Sequence, residues 1–266
     1  MQCNFINMNY SLLDLPDSGK NPVVYMDIGL QGEILGRIHI RLFRDVFPAG
    51  VENFLRIAGG RTYKVIKKGS GKYKYKKEIK RTYDGCKFFH FLYNNYIISG
   101  DIYNNDGSNA GTIYNDIPIP ADFGDFFYPH EVKGLVSLIP FRDETTGRIF
   151  YDSTFMITLD DIKPSNVLKD LDGDQIVIGQ VYSGLDVLDK MNSMIKPYAR
   201  RKYPNFIINK SDTYTKRNGY SRRIRPLSQA DKKKFINEPT FINEPTFINE
   251  PTFAHDSCNV EPADSQ

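Results

Sequence analysis

The residues of this 266-residue chain best able to do chemistry are four histidines, three cysteines, a crowd of aspartates and one run of lysines. His39, His90, His130 and His255 lie far apart and form no metal-ligand spacing. Cys3, Cys86 and Cys258 are odd in number and widely separated. That excludes a zinc spacing or a disulfide framework and fits a reducing compartment. Asp160, Asp161, Asp170, Asp172 and Asp174 crowd one stretch, but the glycine and terminal glutamate of a calcium loop are missing. A solvated turn is expected there. Gly107-Ser108-Asn109-Ala110-Gly111 is glycine-rich, yet it does not lie between a strand and a helix N-terminus as a phosphate loop must. No metal and no cofactor is expected.

The lysine run is the strongest electrostatic feature. Residues 61–82 hold ten Lys or Arg against one Glu, interleaved with Tyr63, Tyr73 and Tyr75. Alternation of Tyr and Lys allows a small ribbon, but like-charge repulsion favours an open surface loop. Such a loop suits a nucleic acid, an acidic protein face or a second copy of the chain. The net charge of +3 is too small to force a nucleic-acid or membrane reading on the whole protein.

The elements that must position these groups follow from periodicity. Residues 24–28 and 35–43 alternate like strands around a turn at Gly32, and Val51, Phe54 and Leu55 then share a helical face after Pro48. Further strands are expected at 87–91, 96–98, 112–114, 134–139, 153–159, 175–181 and 206–208. Leu185, Leu188 and Met191 mark a second helix. Many short strands with two separated helices indicate an antiparallel barrel rather than alternating βαβ units. Residues 1–21 read as an irregular arm, 22–212 as one domain with a basic insertion at 61–82, and 213–266 as a tail. In that tail the six-residue unit Phe-Ile-Asn-Glu-Pro-Thr occurs three times over 235–252. A proline in every unit blocks helix and central strand, so disorder is expected. The N-terminus lacks a basic, apolar leader, and no apolar run reaches membrane-spanning length. An intracellular, cytoplasmic chain without a membrane partner is expected.

The run from 24 to 54 is the most specific string. Met26-Asp27-Ile28, Gly32-Glu33, Leu35-Gly36-Arg37-Ile38, Leu42-Phe43, Phe47-Pro48 and Glu52-Asn53-Phe54 resemble the opening of the cyclophilins, the β-barrel peptidyl-prolyl isomerases. Later anchors are Gly100-Asp101, Gly134-Leu135-Val136-Ser137, Phe155-Met156-Ile157-Thr158, Leu171-Asp172-Gly173 and the run 177–181. The resemblance implies a closed eight-stranded antiparallel β-barrel capped by two helices. It also implies binding of a proline-containing peptide or protein and rotation about the Xaa-Pro bond, whose uncatalysed barrier is ~18–20 kcal/mol. The family uses an arginine that donates to the prolyl nitrogen; here that position is His90. An imidazole is shorter and mostly neutral near pH 7. His90 is thus either an impaired donor or a histidine packed on a strand.

Other positions depart as well. The apolar pair that grips the proline ring becomes Asn95 and Tyr96, and Ile98 replaces a glutamine. Ile139 and Pro140 replace a small Ala-Asn pair, Ser153 a second glutamine, and Gln175 a pocket-edge histidine. Phe155 and Leu171 are retained. Phe155 is either the floor of the pocket or a buried core residue. The chain has no tryptophan, and Asp170 stands where drug-sensitive members place one. Asn, Ile, Lys and Tyr abundance points to an AT-rich genome such as that of a large DNA virus, which adds the virion as a location. Three functions follow: a weak isomerase, a non-catalytic peptide-binding or oligomerising scaffold, and a basic binder of nucleic acid or anionic surface. The lost pocket groups favour the scaffold.

Overall fold

The structure, a computed structural model, describes residues 21–60, 62–68, 74–121, 128–160, 171–173, 175–195 and 204–213. The N-terminal arm, the Phe-Ile-Asn-Glu-Pro-Thr repeats and Asp161, Asp170 and Asp174 lie outside the described residues. β1 (Val23–Leu30) and β2 (Glu33–Leu42) form the first hairpin. Its two turn residues, Gln31 and Gly32, both have positive φ (53° and 91°), the geometry that matches the twist of paired strands. Val24, Met26 and Ile28 alternate inward and are fully buried. α1 (Pro48–Ala58) starts on a proline, whose missing N–H is no loss in the first turn. Its Val51, Phe54, Leu55 and Ile57 enter the core. The buried Glu52 is held by Arg44 (3.1 Å) and Arg56 (2.5 Å).

The basic run is where the expected open loop gives way. β3 (Thr62–Lys68) and β4 (Lys74–Lys80) pair as a two-stranded antiparallel ribbon, separate from the main sheet. The register explains how so many charges fit. Only Lys68 and Lys74 put like charges directly opposite; elsewhere lysines oppose Val65, Ile66, Tyr75, Glu78 and Thr62.

The remaining strands are β5 (His90–Leu92), β6 (Tyr96–Ser99), β7 (Ile119–Pro120), β8 (Leu135–Arg142), β9 (Ile149–Thr158), β10 (Ile176–Ser183) and β11 (Phe206–Thr213). α2 (Leu185–Ile195) precedes β11. The expected strand at 112–114 is a turn instead, because Thr112 bonds its own loop: its hydroxyl donates to the Ile117 carbonyl (2.8 Å).

All strand pairings among the described residues are antiparallel, in the order β11-β1-β2-β10-β8-β9-β6-β5, with β7 on β9. The sheet curls into a half-barrel with two helices. It is not the closed eight-stranded barrel expected, since β5 and β11 do not pair as strands. β5 has only three residues, and all three pair with β6. The segment before it crosses the seam through a Lys87–Ile207 bridge, with Phe88 N donating to Phe206 O (3.0 Å) and Ile208 N to Cys86 O (2.8 Å). The core fills the curl. Phe54, Tyr83 and Phe155 meet there with ring centroids 5.1–5.2 Å apart. No helix among the described residues is long and apolar enough to cross a membrane.

Candidate functional site

Strand alternation sorts the predicted site residues onto two faces. The ladder sets His90 opposite Ile98, Ile98 opposite Met156 and Met156 opposite Ser137. One outward row therefore crosses β5, β6, β9 and β8, and Tyr96 joins it two residues from Ile98. Tyr96 and Met156 form a buried floor, packed by the half-buried Leu92, Ile98, Ile139 and Leu171. His90 is exposed at one end, its ring stacked on Tyr96 (centroids 5.9 Å, planes at 27°). Burial pushes the Tyr96 phenol above its ordinary pKa, so it stays neutral at physiological pH.

Phe155 lies on the other face. It is fully buried and meets Phe54 and Tyr83 edge-on, so the packing selects its core account. Its neighbour Met156 takes the floor. Sequence reasoning passed over Met156, although period-two alternation from Ile98 and its partner strand carried the signal. Ser153 also turns inward: its hydroxyl donates to Gly100 O (2.6 Å) and accepts from Gly111 N (3.2 Å). Gly100, at φ +104°, has no room for a side chain, because a Cβ would sit 2.2 Å from Ser153 O. Pro140 lies where the β8–β9 register shifts, a place that suits a residue without an N–H. Asn95 serves the β5–β6 turn, donating its amide to Tyr93 O (2.9 Å). Gln175 closes the Leu171 turn through its backbone N–H (3.1 Å to Leu171 O). Its side-chain oxygen Oε1 is buried with no hydrogen-bond partner.

A polar chain meets this row at its β8 end, at Ser137. His130 Nδ1 lies 2.7 Å from Asp172, and its Nε2 lies 2.7 Å from the Ser137 hydroxyl. Asp172, an acceptor only when ionised, makes Nδ1 the donor, so Nε2 accepts from Ser137. The order is that of a serine hydrolase triad, but His130 and Ser137 are fully buried and no substrate reaches the hydroxyl. The chain instead ties the Leu171 turn to β8. Nothing local in the sequence brings His130 to Asp172, 42 residues away.

Other candidates fall away. Cys86 is buried and its thiol is pushed up to about 12, chiefly by desolvation, so it is no nucleophile. A cavity of about 350 Å³ lies at the seam, between Phe88, Phe89, Phe91 and Pro204, and shares no residue with the outward row. Among the described residues no three His, Cys, Asp or Glu cluster to hold a metal. The outward row thus presents the half-buried Ile98, Ile139 and Leu171 over a closed Tyr96–Met156 pair, with the exposed His90 ring at one end.

Comparison with known proteins agrees with this geometry. The family of cyclophilin type peptidyl-prolyl cis-trans isomerases (CLD) matches residues 25–213. A structural PPIase-like protein of Acanthamoeba polyphaga mimivirus is 64% identical over 233 residues, covering 88% of this chain and 99% of that one. The crystal structure of the mimivirus cyclophilin aligns with a TM-score of 0.64 at 63% identity, over 79% of this chain and 97% of that chain.

Proposed function

The chain belongs to the cyclophilin-type peptidyl-prolyl cis-trans isomerase family, and from that premise we propose that it binds Xaa-Pro peptides with weak or absent isomerase activity. The observation that carries this reading is the identity of the outward row. The half-buried Ile98, Ile139 and Leu171, packed on the closed Tyr96–Met156 pair, would offer a proline ring an apolar surface. The group that would lower the rotation barrier is His90, not a guanidinium, and it is stacked on Tyr96. A guanidinium stays charged at any working pH and presents a fork of donors. An imidazole presents one, mostly without charge at pH 7. Loss of a charge-assisted hydrogen bond made chiefly in the transition state costs on the order of a hundredfold in rate.

The description of the mimivirus relative as structural and PPIase-like supports the same direction. The viral relatives support a viral source, with the host cytoplasm or the virion as the place of action. A protease-coupled assay on a short Xaa-Pro peptide tests the reading together with a binding titration: saturable binding with turnover far below that of ordinary cyclophilins is expected. Turnover at the ordinary level, or no binding, would refute it.

A second reading rests on the ribbon. Its two strands pair only with each other among the described residues, which leaves both edges open to another strand. Self-association or a polyanion is the partner it would serve. Replacing Lys72, Lys74, Lys76 and Lys77 with Gln should weaken association, more so at low salt. Unchanged self-association and unchanged polyanion binding in that variant would remove this reading.

A further inference from the structure

We infer that the solvent face of β1, β2 and β10 is a stacking surface for single-stranded nucleic acid, whose bases lie on the guanidinium planes of Arg37 and Arg41. This surface shares no residue with the outward row or with the ribbon, and it stands without the peptide-binding reading.

Register brings its residues together. Tyr25 lies opposite His39, and His39 opposite Ser183, with Tyr182 at the register shift beside it. The three rings form a line across three strands. Tyr25 and His39 have centroids 6.5 Å apart, and His39 and Tyr182 6.0 Å. The core takes the alternate residues Val24, Met26, Ile38 and Ile40, so the ringed face looks to solvent. A guanidinium lies over each end of the line. Arg37 stands 4.0 Å from the Tyr25 ring centroid and Arg41 5.0 Å from that of Tyr182. Tyr182 is 44% exposed, and the Arg37 side chain 46%.

The pairing of Arg37 selects the ligand. Its Nε donates to Asp27 Oδ1 (2.6 Å) and its Nη2 to Oδ2 (2.9 Å). The fork is thus spent on a carboxylate and one plane rests on Tyr25, so the side left for a ligand is the other plane. An anion is gripped by the fork, whereas a flat π-system lies on the plane. Nucleobases stack on guanidinium planes and on aromatic rings, including rings carried on the face of an antiparallel sheet. Charge favours nucleic acid over an aromatic peptide. Arg37, Arg41 and Lys210 stand here against Asp27 and Asp212, and Arg37 already neutralises Asp27. Cations at the edges of an aromatic line suit bases strung on phosphates.

The test titrates the full chain into a fluorescein-labelled single-stranded oligouridine of about 12 nucleotides and reads anisotropy. Arg37→Lys together with Arg41→Lys keeps both charges and removes both planes. This double variant should bind about tenfold more weakly, with an unchanged slope of log affinity against log salt. Tyr182→Ser removes an exposed ring outside the core and should weaken binding about fivefold at an unchanged thermal midpoint. In a background of Lys74→Gln, Lys76→Gln and Lys77→Gln the loss caused by the arginine substitutions should persist. Its disappearance there would place the contact on the ribbon and overturn the inference. Equal affinity of the wild type and both variants would overturn it, as would no binding at all. Polyphosphate bound as tightly as the oligonucleotide would reduce the surface to charge alone, and a tyrosine-rich peptide bound in place of the oligonucleotide would assign it to protein; either result overturns the inference.

Discussion

Phe155 and Met156 are neighbours on β9, yet they serve different structures. Phe155 looks into the curl and locks onto Phe54 and Tyr83, while Met156 looks out and makes a floor with Tyr96. The inward face keeps the residue types that the fold demands, because a packed interior feels the loss of even a methylene. The outward face carries His90, Ile98 and Ile139 instead. Core packing and outward surface are thus written on alternate residues of the same strands.

The largest effect should come from the inward face. Phe155→Ala should cost about 3–5 kcal/mol, read from the urea midpoint, since a ring packed on two others leaves a cavity that cannot collapse. A loss under about 1 kcal/mol would erase the distinction between the faces.

Asp152 sharpens the contrast, because it belongs to the even-numbered set of β9 with Met156 but is buried. Desolvation lifts its carboxyl to about 6, against ~3.9 in an unfolded chain. The folded state therefore favours the protonated acid. Its contribution is full below about pH 4 and is lost as pH rises through about 6, by at most about 3 kcal/mol. Urea unfolding across pH 4 to 7 should show stability falling with pH, and Asp152→Asn should flatten that slope; a variant with the same slope would assign it elsewhere.

Breaking the polar chain that ends at Ser137 should matter less. His130→Ala leaves the Ser137 hydroxyl buried without its partner and should cost about 1–3 kcal/mol. It should also loosen the Leu171 turn, visible as faster amide exchange of residues 171–173. Unchanged exchange would mean that Asp172 does not need the imidazole. The smallest effect is expected from His90→Arg, which should raise isomerase turnover by less than about tenfold. The guanidinium alone does not restore the groups replaced by Ile98, Ile139 and Pro140. A return to ordinary cyclophilin turnover would show that one outward residue had carried the whole loss.

Much of this was legible in the chain. The first hairpin falls within two residues of its expected strands, and α1 and α2 contain the residues expected on helical faces, since alternation and 3.6-residue spacing are local properties. The positions of Tyr96, Ile98, Ile139 and Leu171 followed from the string resemblance, and these four do meet on one face. Phe155 and Met156 were not separable by resemblance, because a one-residue choice moves a side chain to the other side of the sheet. The ribbon of β3 and β4 was hidden by its charge, since only the register reveals that lysines mostly oppose neutral residues.

By itself the sequence determined the antiparallel class and the family, because these depend on residue identity and spacing along the chain. Only the tertiary structure decided that the sheet stays open between β5 and β11, that Met156 rather than Phe155 makes the floor, and that Asp172, His130 and Ser137 join into one hydrogen-bonded chain. Those outcomes depend on which strands meet and in what register, and contacts between residues tens of positions apart leave no local trace.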